Sequence, residues 1–328
     1  MMKLWWHKLK NWEYWSSKII YLPTFFLWVG YAIKFRTIKF YAHSNPAIVN
    51  GGLHGDGKMA VYKLFPENLY PKTVLSTANN SEPAIKTALK AKQMNFPLIV
   101  KPDVGYRGIG VAIVNNMKEL IAYANTIHAD FLIQEIAAFP NEIGLFYYRL
   151  PNEKAGKISG ITLKTFLTVV GNGRDNITEL LKKDPRHEMQ ISKLSTQLNL
   201  AEILQKDEKR CLVPFGNHNR GTLFTDGEKH ITPQLEQTFN AILSKIEGLN
   251  YGRLDIRFNS FKELEAGKNF LILEMNGAKS EPTHIYDPKY SFLKGQKEIF
   301  KHQLIFGKII KSNIQKYRAK ITQKQTAL

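Results

Sequence analysis

Three oxygen-bearing residues near the C-terminal third of the chain are placed for divalent-cation chemistry. Asp255 sits in the apolar run YGRLDIRF, and Glu274 and Asn276 end a second run, LILEMNG. In a strand, residues i and i+2 project from one face, so Glu274 and Asn276 point together and Asp255 meets them from a neighbouring strand. Two carboxylates and an amide suit Mg²⁺ (or Mn²⁺), which keeps its other positions for water and phosphate oxygens. The alternative is a set of solvated side chains at strand ends. Against it, Glu274 directly follows an apolar run, where an unpaired carboxylate is costly to bury.

Further along the same line of chemistry, FPLIVKPDVGYRGIGV ends an apolar strand on Lys101 and continues into Gly105, Gly108 and Gly110. This is either an ordinary hairpin turn or a flap whose backbone approaches an anion, with Lys101 as a point charge for phosphate. The segment lacks the G-K-[ST] ending of a P-loop, and no helix follows it directly as a dinucleotide fold requires. FLIQEIAAFPNE offers Glu135, Ile136 and Ala137 as backbone and an apolar wall for an adenine ring, with Glu142 for ribose hydroxyls, or else is a plain strand and turn. Lys164, inside the apolar strand ITLKTFLTVV, either snorkels or aims at an anion. Arg220, in the loop GNHNRGTLF, is a planar fork suited to a phosphoryl group or a carboxylate. Glu281, His284 and Asp287, just past the metal candidates, are either acceptor-reading residues or surface turn residues. No Ser/His/Asp or Cys/His set stands out. The single cysteine, Cys211, lies in a strand-like run, reads as a packing residue and excludes an internal disulfide framework, which fits a reducing, cytoplasmic compartment.

The elements that must position these groups read as α+β with antiparallel sheet dominating. Residues 1–75 form a basic, aromatic, mostly helical segment containing the glycine-rich stretch Gly51 to Lys58, followed by a main unit over 76–310 and a basic tail over 311–328. Within the main unit, 76–140 carries the glycine flap and 141–310 the metal candidates. Helical spacing marks residues 84–95, 116–128 and 231–249; strands are expected at 96–102, 131–136, 143–151, 157–170, 211–215, 251–259 and 269–277, with GNHNRGTLFTDGEK as a loop.

With 328 residues the chain can bury substantial cores without staples. Lys and Arg total 46 against 28 Asp and Glu, a formal charge of +18 that attracts polyanions or an anionic bilayer. The basic residues are dispersed and accompany no nucleic-acid module, so no specific nucleic acid is expected. Trp5, Trp6, Trp12 and Trp15 alternate with lysines in the opening segment, and Ile19 to Ile33 carries no charge. That run is short of the roughly 20 apolar residues needed to span a bilayer. Residues 1–40 therefore either lie peripherally on an anionic membrane or form a helical layer against the main unit.

Taken in order, FPLIVKPDVGYRGIGV, LIQEIAAFPNE, LKTFLTVVGNGRDNITELL, NHNRGTLF and YGRLDIRF with LILEMNG resemble the ATP-grasp superfamily, over about residues 83–288. The amino-acid ligase branch, which includes D-alanine–D-alanine ligases and cyanophycin-synthetase-like enzymes, is the most similar. The resemblance implies two α+β subdomains clasping ATP and a carboxylate–amine ligase working through an acyl phosphate. It further implies Lys101 and Lys164 on phosphates, Gly105 to Gly110 as a lid, and Glu135 to Ala137 at adenine. Glu142 would bind ribose, Asp255, Glu274 and Asn276 would hold Mg²⁺, and Arg220 and Arg253 would face the phosphoryl group. The short tryptophan-rich front departs from the longer first domain of D-alanine–D-alanine ligases, so D-alanine is not implied as substrate. Rival readings are a phosphotransferase on a small acidic substrate, and a membrane- or nucleic-acid-binding protein on the same scaffold.

Overall fold

A computed structural model describes residues 2–78, 80–105 and 108–326, with side chains described from residue 4 to residue 317. The chain opens with α1 (Met2–Lys10), α2 (Ser17–Ile20) and α3 (Leu22–Phe35). Tight 3-10 turns lead through the glycine-rich stretch to α4 (Lys58–Tyr62). Gly51 and Gly52 carry positive φ values of 63° and 79°, open to glycine at little cost. A Cβ at Gly52 would sit 2.7 Å from the Cα of Gly277, so the turn presses backbone on backbone against the end of the metal-candidate strand.

A first unit follows. β1 (Thr73–Ser76), α5 (Glu82–Ala91), β2 (Leu98–Pro102), β3 (Ala112–Val114), α6 (Met117–Thr126) and β4 (Phe131–Glu135) form a four-stranded antiparallel sheet in the order β1-β4-β2-β3, backed by the two helices. Its first strand begins at Thr73, so this sheet draws in the end of the 1–75 segment. Ile85 and Leu89 of α5 and Leu120 of α6 close its core over Leu98, Val100 and Ile133. Asn116 caps α6 by accepting from the amide of Glu119.

The central sheet is built from β5 (Asn141–Tyr148), β6 (Lys157–Thr165), β9 (Leu223–Asp226), β10 (Tyr251–Phe258) and β11 (Phe270–Asn276), in the order β11-β10-β5-β6-β9, all antiparallel. Between β6 and β9 the chain makes a small satellite: the ribbon of β7 (Leu167–Val170) and β8 (Lys209–Val213), with α7 (Ile177–Leu181), α8 (Pro185–Glu188) and α9 (Ile191–Leu194) on it. A capping box from Asn176 and Glu179 starts α7. α10 (Pro233–Leu243) covers one face of the central sheet, burying Leu235, Phe239 and Leu243 against Ile143, Leu145, Leu254 and Ile256. α11 (Phe261–Glu265) fills the β10–β11 connection, and α12 (Phe292–Thr326) is one continuous helix across residues 310 and 311.

Two expectations are corrected. The stretch read as a loop contains β9, a four-residue edge strand paired to β6. Cys211 is exposed rather than packed: β8 belongs to a two-stranded ribbon covered on one side, and Leu212 and Val213 take the buried places. The opening segment is divided. Trp12 is buried against Tyr290 and Phe292, whereas Trp5 and Trp6 are exposed.

Candidate active site

Alternation along β10 creates the site. Leu254, Ile256 and Phe258 face α10, which leaves Arg253, Asp255 and Arg257 on the opposite face. Antiparallel register sets Arg253 against Asn276 and Asp255 against Glu274 on β11. On the other side it sets Asp255 against Gly144, and Arg257 against Glu142, on β5. Glu142 in turn opposes Lys164 of β6. One face of the central sheet therefore carries a band of alternating charge.

The band is closely paired. Lys164 Nζ lies 2.8 Å from Glu142 Oε1 and 3.0 Å from Asp255 Oδ1, with only 3 % of its side chain exposed. Arg257 Nε pairs with the other Glu142 oxygen at 3.0 Å, and its guanidinium stacks 4.4 Å from the Phe166 ring. Arg253 donates to Asp255 from Nε at 3.0 Å and from its second terminal nitrogen at 3.2 Å, and reaches the Glu281 carbonyl. Burial alone would push the Asp255 carboxyl up; Arg253 and Lys164 outweigh it and hold the group at about 2. Burial likewise acts to lower Lys164, and Asp255 and Glu142 overcome it and raise its pKa. Gly144 leaves room here, since a Cβ would sit 3.0 Å from Arg253 Cδ and 3.4 Å from Asp255 Oδ1.

Two cavities meet on this band. The first, about 360 Å³, lies between the two sheets and is lined by Lys58, Lys101, Glu142, Lys164, Asp255 and Glu274 on its polar side. Its apolar side includes Ile99, Val111, Ile113, Ile136, Ala137 and Leu273. The second, about 730 Å³, shares Lys164, Asp255 and Glu274 and adds Arg253, Asn276 and Lys279. The N-terminal segment gives this second cavity a wall through Trp15 and Ile20.

Lys101 is buried at the end of β2, its Nζ donating to Gln134 Oε1 at 2.8 Å and to the Tyr62 hydroxyl at 3.0 Å. Tyr62 is itself anchored on the Leu273 carbonyl. Gly105, Gly108 and Gly110 lie in the connection from β2 to β3; Tyr106 and Arg107, between them, lie outside the described residues. Gly105 and Gly108 line both cavities, while Gly110 sits at the base of the connection, accepting from the Tyr123 hydroxyl. Glu135 is partly exposed and pairs with Lys72 at 3.3 Å. Arg220 lines the first cavity over the Phe215 ring.

All three metal candidates line the second cavity, with Asp255 and Glu274 at its junction with the first. Among the described residues no group of three or more His, Cys, Asp or Glu side chains is placed to hold a metal, so an ion here would take two carboxylates and the Asn276 amide. Hard oxygen donors in that number fit Mg²⁺, which needs only one or two protein carboxylates. Glu281 lines the second cavity, whereas His284 and Asp287 are buried behind it: Asp287 accepts from the amides of Asp226 and Lys289.

Two site residues escaped the sequence reading as chemistry. Lys58, at the start of α4, donates from Nζ to the carbonyls of Pro102 and Asp103, each at 3.1 Å, and lines the first cavity beside Lys101. Its burial lowers its pKa. The signal was the lysine closing the glycine-rich stretch. Arg257 clamps Glu142; its signal was the second arginine of YGRLDIRF, two positions beyond Asp255.

No family model and no curated protein matches the sequence. Among solved structures, the chain is similar to a bifunctional glutathione synthetase from Pasteurella multocida, at 16% identity and a TM-score of 0.41, covering 76% of this chain and 35% of that one. It is also similar to the VanG D-Ala:D-Ser ligase from Enterococcus faecalis, at 14% identity and 0.43, covering 79% and 60%. A third is the D-alanine–D-alanine ligase from Bacillus anthracis complexed with ATP, at 15% and 0.43, covering 77% and 67%. The chain thus spans about a third of the length of the first of these and three fifths of the second. The likeness is one of fold: a mixed chain of helices and antiparallel sheets.

Proposed function

We propose that the chain is an ATP-dependent carboxylate–amine ligase acting through an acyl phosphate. The observation that carries this reading is the composition of one cleft. Lys101, buried, and Lys58, half-buried, line one cavity with the carboxylates Asp255 and Glu274, and Ile99, Val111, Ile113, Ile136 and Ala137 give the same cavity an apolar wall. A flat apolar wall beside clustered ammonium groups suits a purine with its phosphates.

In this reading the adenine rests against Ile136, Ala137 and the side chains of β2 and β3, with the β2–β3 connection folding over the phosphates. Lys101 and Lys58 offset phosphate charge, and their hydrogen bonds to Gln134 and to backbone carbonyls aim them beforehand. Asp255, Glu274 and Asn276 would hold Mg²⁺ (or Mn²⁺), whose contribution when bound is to neutralise charge on the phosphate oxygens. Lys164 and Arg253 keep Asp255 ionised and fixed in place. Glu142, clamped by Lys164 and Arg257, lies at the ribose end of the same wall.

A substrate carboxylate in the second cavity attacks the γ-phosphorus, and the bond to the bridging oxygen of ADP breaks. An amine then attacks the acyl carbon, phosphate leaves, and the amine loses its proton to give an amide. Arg220 and Arg253 flank the two ends of this path. Excluding water protects the mixed anhydride between the two steps, and no side-chain nucleophile is required.

The test is a screen for ADP release over pairs of carboxylates and amines with Mg²⁺, with products read by mass. ADP, phosphate and a product lighter than the summed substrates by one water are expected, with release dependent on both partners. ADP release with a phosphorylated product and no need for an amine would overturn the ligase assignment in favour of phosphotransfer.

A further inference from the structure

The N-terminal helices carry a surface that the cleft chemistry does not use. Leu22, Phe25, Phe26, Val29 and Ile33 of α3 are each at least 44 % exposed, and their spacing sets them along one side of the helix. The opposite side is already taken. Tyr31 is buried with its hydroxyl donating to the Gln303 carbonyl, Trp28 donates to the Gln303 side chain, and Trp28 stacks on Phe306 of α12. The helix is therefore anchored, and it cannot roll its apolar side inward. Trp5 and Trp6 on α1 and Phe300 on α12 are exposed as well.

Charge identifies what this face meets. From Tyr14 to Gly55 the sequence contains no Asp or Glu, while Lys18, Lys34, Arg36 and Lys39 stand exposed around the apolar side chains. Glu13, just before this stretch, has its side chain buried and ion-paired to Arg186 at 2.7 Å, with His218 Nε2 at 3.0 Å. A second copy of the chain would bring like charge onto like charge in a two-fold pairing, and a nucleic acid would leave the apolar side chains wet. Among the described residues no helix is long and apolar enough to cross a membrane. α3, with 14 residues, spans only about 21 Å along its axis.

We propose that this face docks, lying flat, on an anionic phospholipid bilayer, with the α3 side chains in the interfacial layer and the lysines among the headgroups. The same segment walls the second cavity through Trp15 and Ile20, so docking brings that wall to the membrane surface.

The experiment is flotation of the full chain with vesicles of phosphatidylcholine alone and of phosphatidylcholine with about 30 % phosphatidylglycerol. The chain is expected to float with the anionic vesicles only. The triple variant Phe25→Ser, Phe26→Ser, Ile33→Ser should lose about 100-fold in partitioning, taking about 1 kcal/mol per interfacial side chain, and should keep its melting temperature because all three are exposed. Lys34→Glu with Lys39→Glu, at two exposed positions, should abolish the preference for anionic vesicles. A wild-type chain that stays at the bottom of the gradient, or a triple variant that floats undiminished, overturns the proposal. So does light scattering that finds a dimer which the triple variant converts to monomer.

Discussion

Replacing Lys164 with Met removes the ammonium between Glu142 and Asp255 while keeping an unbranched side chain out to the ε position. Removing one partner of a buried ion pair costs about 3–5 kcal/mol when the charge left behind has no other partner. Here each carboxylate keeps an arginine: Glu142 retains Arg257 at 3.0 Å and Asp255 retains Arg253 at 3.0 Å. The expected loss is therefore smaller, about 2–3 kcal/mol. Its pH dependence follows from the shifts. The Asp255 carboxyl is held at about 2, below the ordinary carboxylate range, so its stabilising contribution is full above that range and fades as pH falls toward 2. The Lys164 pKa is raised, so that contribution is full below the usual lysine value of 10.5 and fades as pH rises beyond it. Urea unfolding of wild type and Lys164→Met should show a penalty constant from about pH 5 to 9 that narrows below about pH 4. A variant within about 0.5 kcal/mol of wild type at neutral pH, or a penalty indifferent to acid, would refute this account of the band.

Three further outcomes are expected. Lys101→Met should weaken ATP binding by roughly 10–100-fold, read by calorimetry, because the proposed phosphate contact loses a buried and pre-aimed charge. Gly216→Ala should disturb the same ion pairs from the loop side, since a Cβ there overlaps the Glu142 carboxylate and comes within 2.7 Å of Lys164 Cδ. A loss of about 1–3 kcal/mol in chemical unfolding is expected. His302 is buried, and that burial lowers its pKa to about 4, with Nδ1 against the Glu298 carbonyl and Nε2 against the Ser159 hydroxyl. Its stabilising contribution is present above the ordinary histidine value and lost as pH falls from about 6.5 to 4, so His302→Gln should flatten unfolding free energy over that window.

Much of the central sheet was legible because its pattern is local. R-L-D-I-R-F alternates charge with bulk, which fixes both the face on α10 and the face on the cleft. The two-residue step from Glu274 to Asn276 sets them on that same face. Lys101 was legible as a charge closing an apolar strand. What escaped depends on register and on distant partners. The pairing of Lys164 with Glu142 and Asp255 needs the alignment of three strands, which no single segment encodes. Lys58 reaches the cleft only because α4 docks against the β2–β3 connection 45 residues on. β1 and β9 are four-residue edge strands, too short to show alternation. Trp12 is buried and donates to the Tyr290 carbonyl, 278 residues away, whereas Trp5 and Trp6 are exposed, and composition alone treats the three alike.

The central claim is that Glu274 and Asp255 hold a divalent cation against ATP phosphates presented to Lys101. Calorimetric titration of ATP into wild type and Glu274→Gln, with and without Mg²⁺, tests it most directly. ATP should bind the wild type at least about tenfold more tightly with Mg²⁺, and Glu274→Gln should lose that gain while unfolding as wild type does. Failure of ATP to bind the wild type, or an undiminished Mg²⁺ effect in the variant, would contradict the assignment.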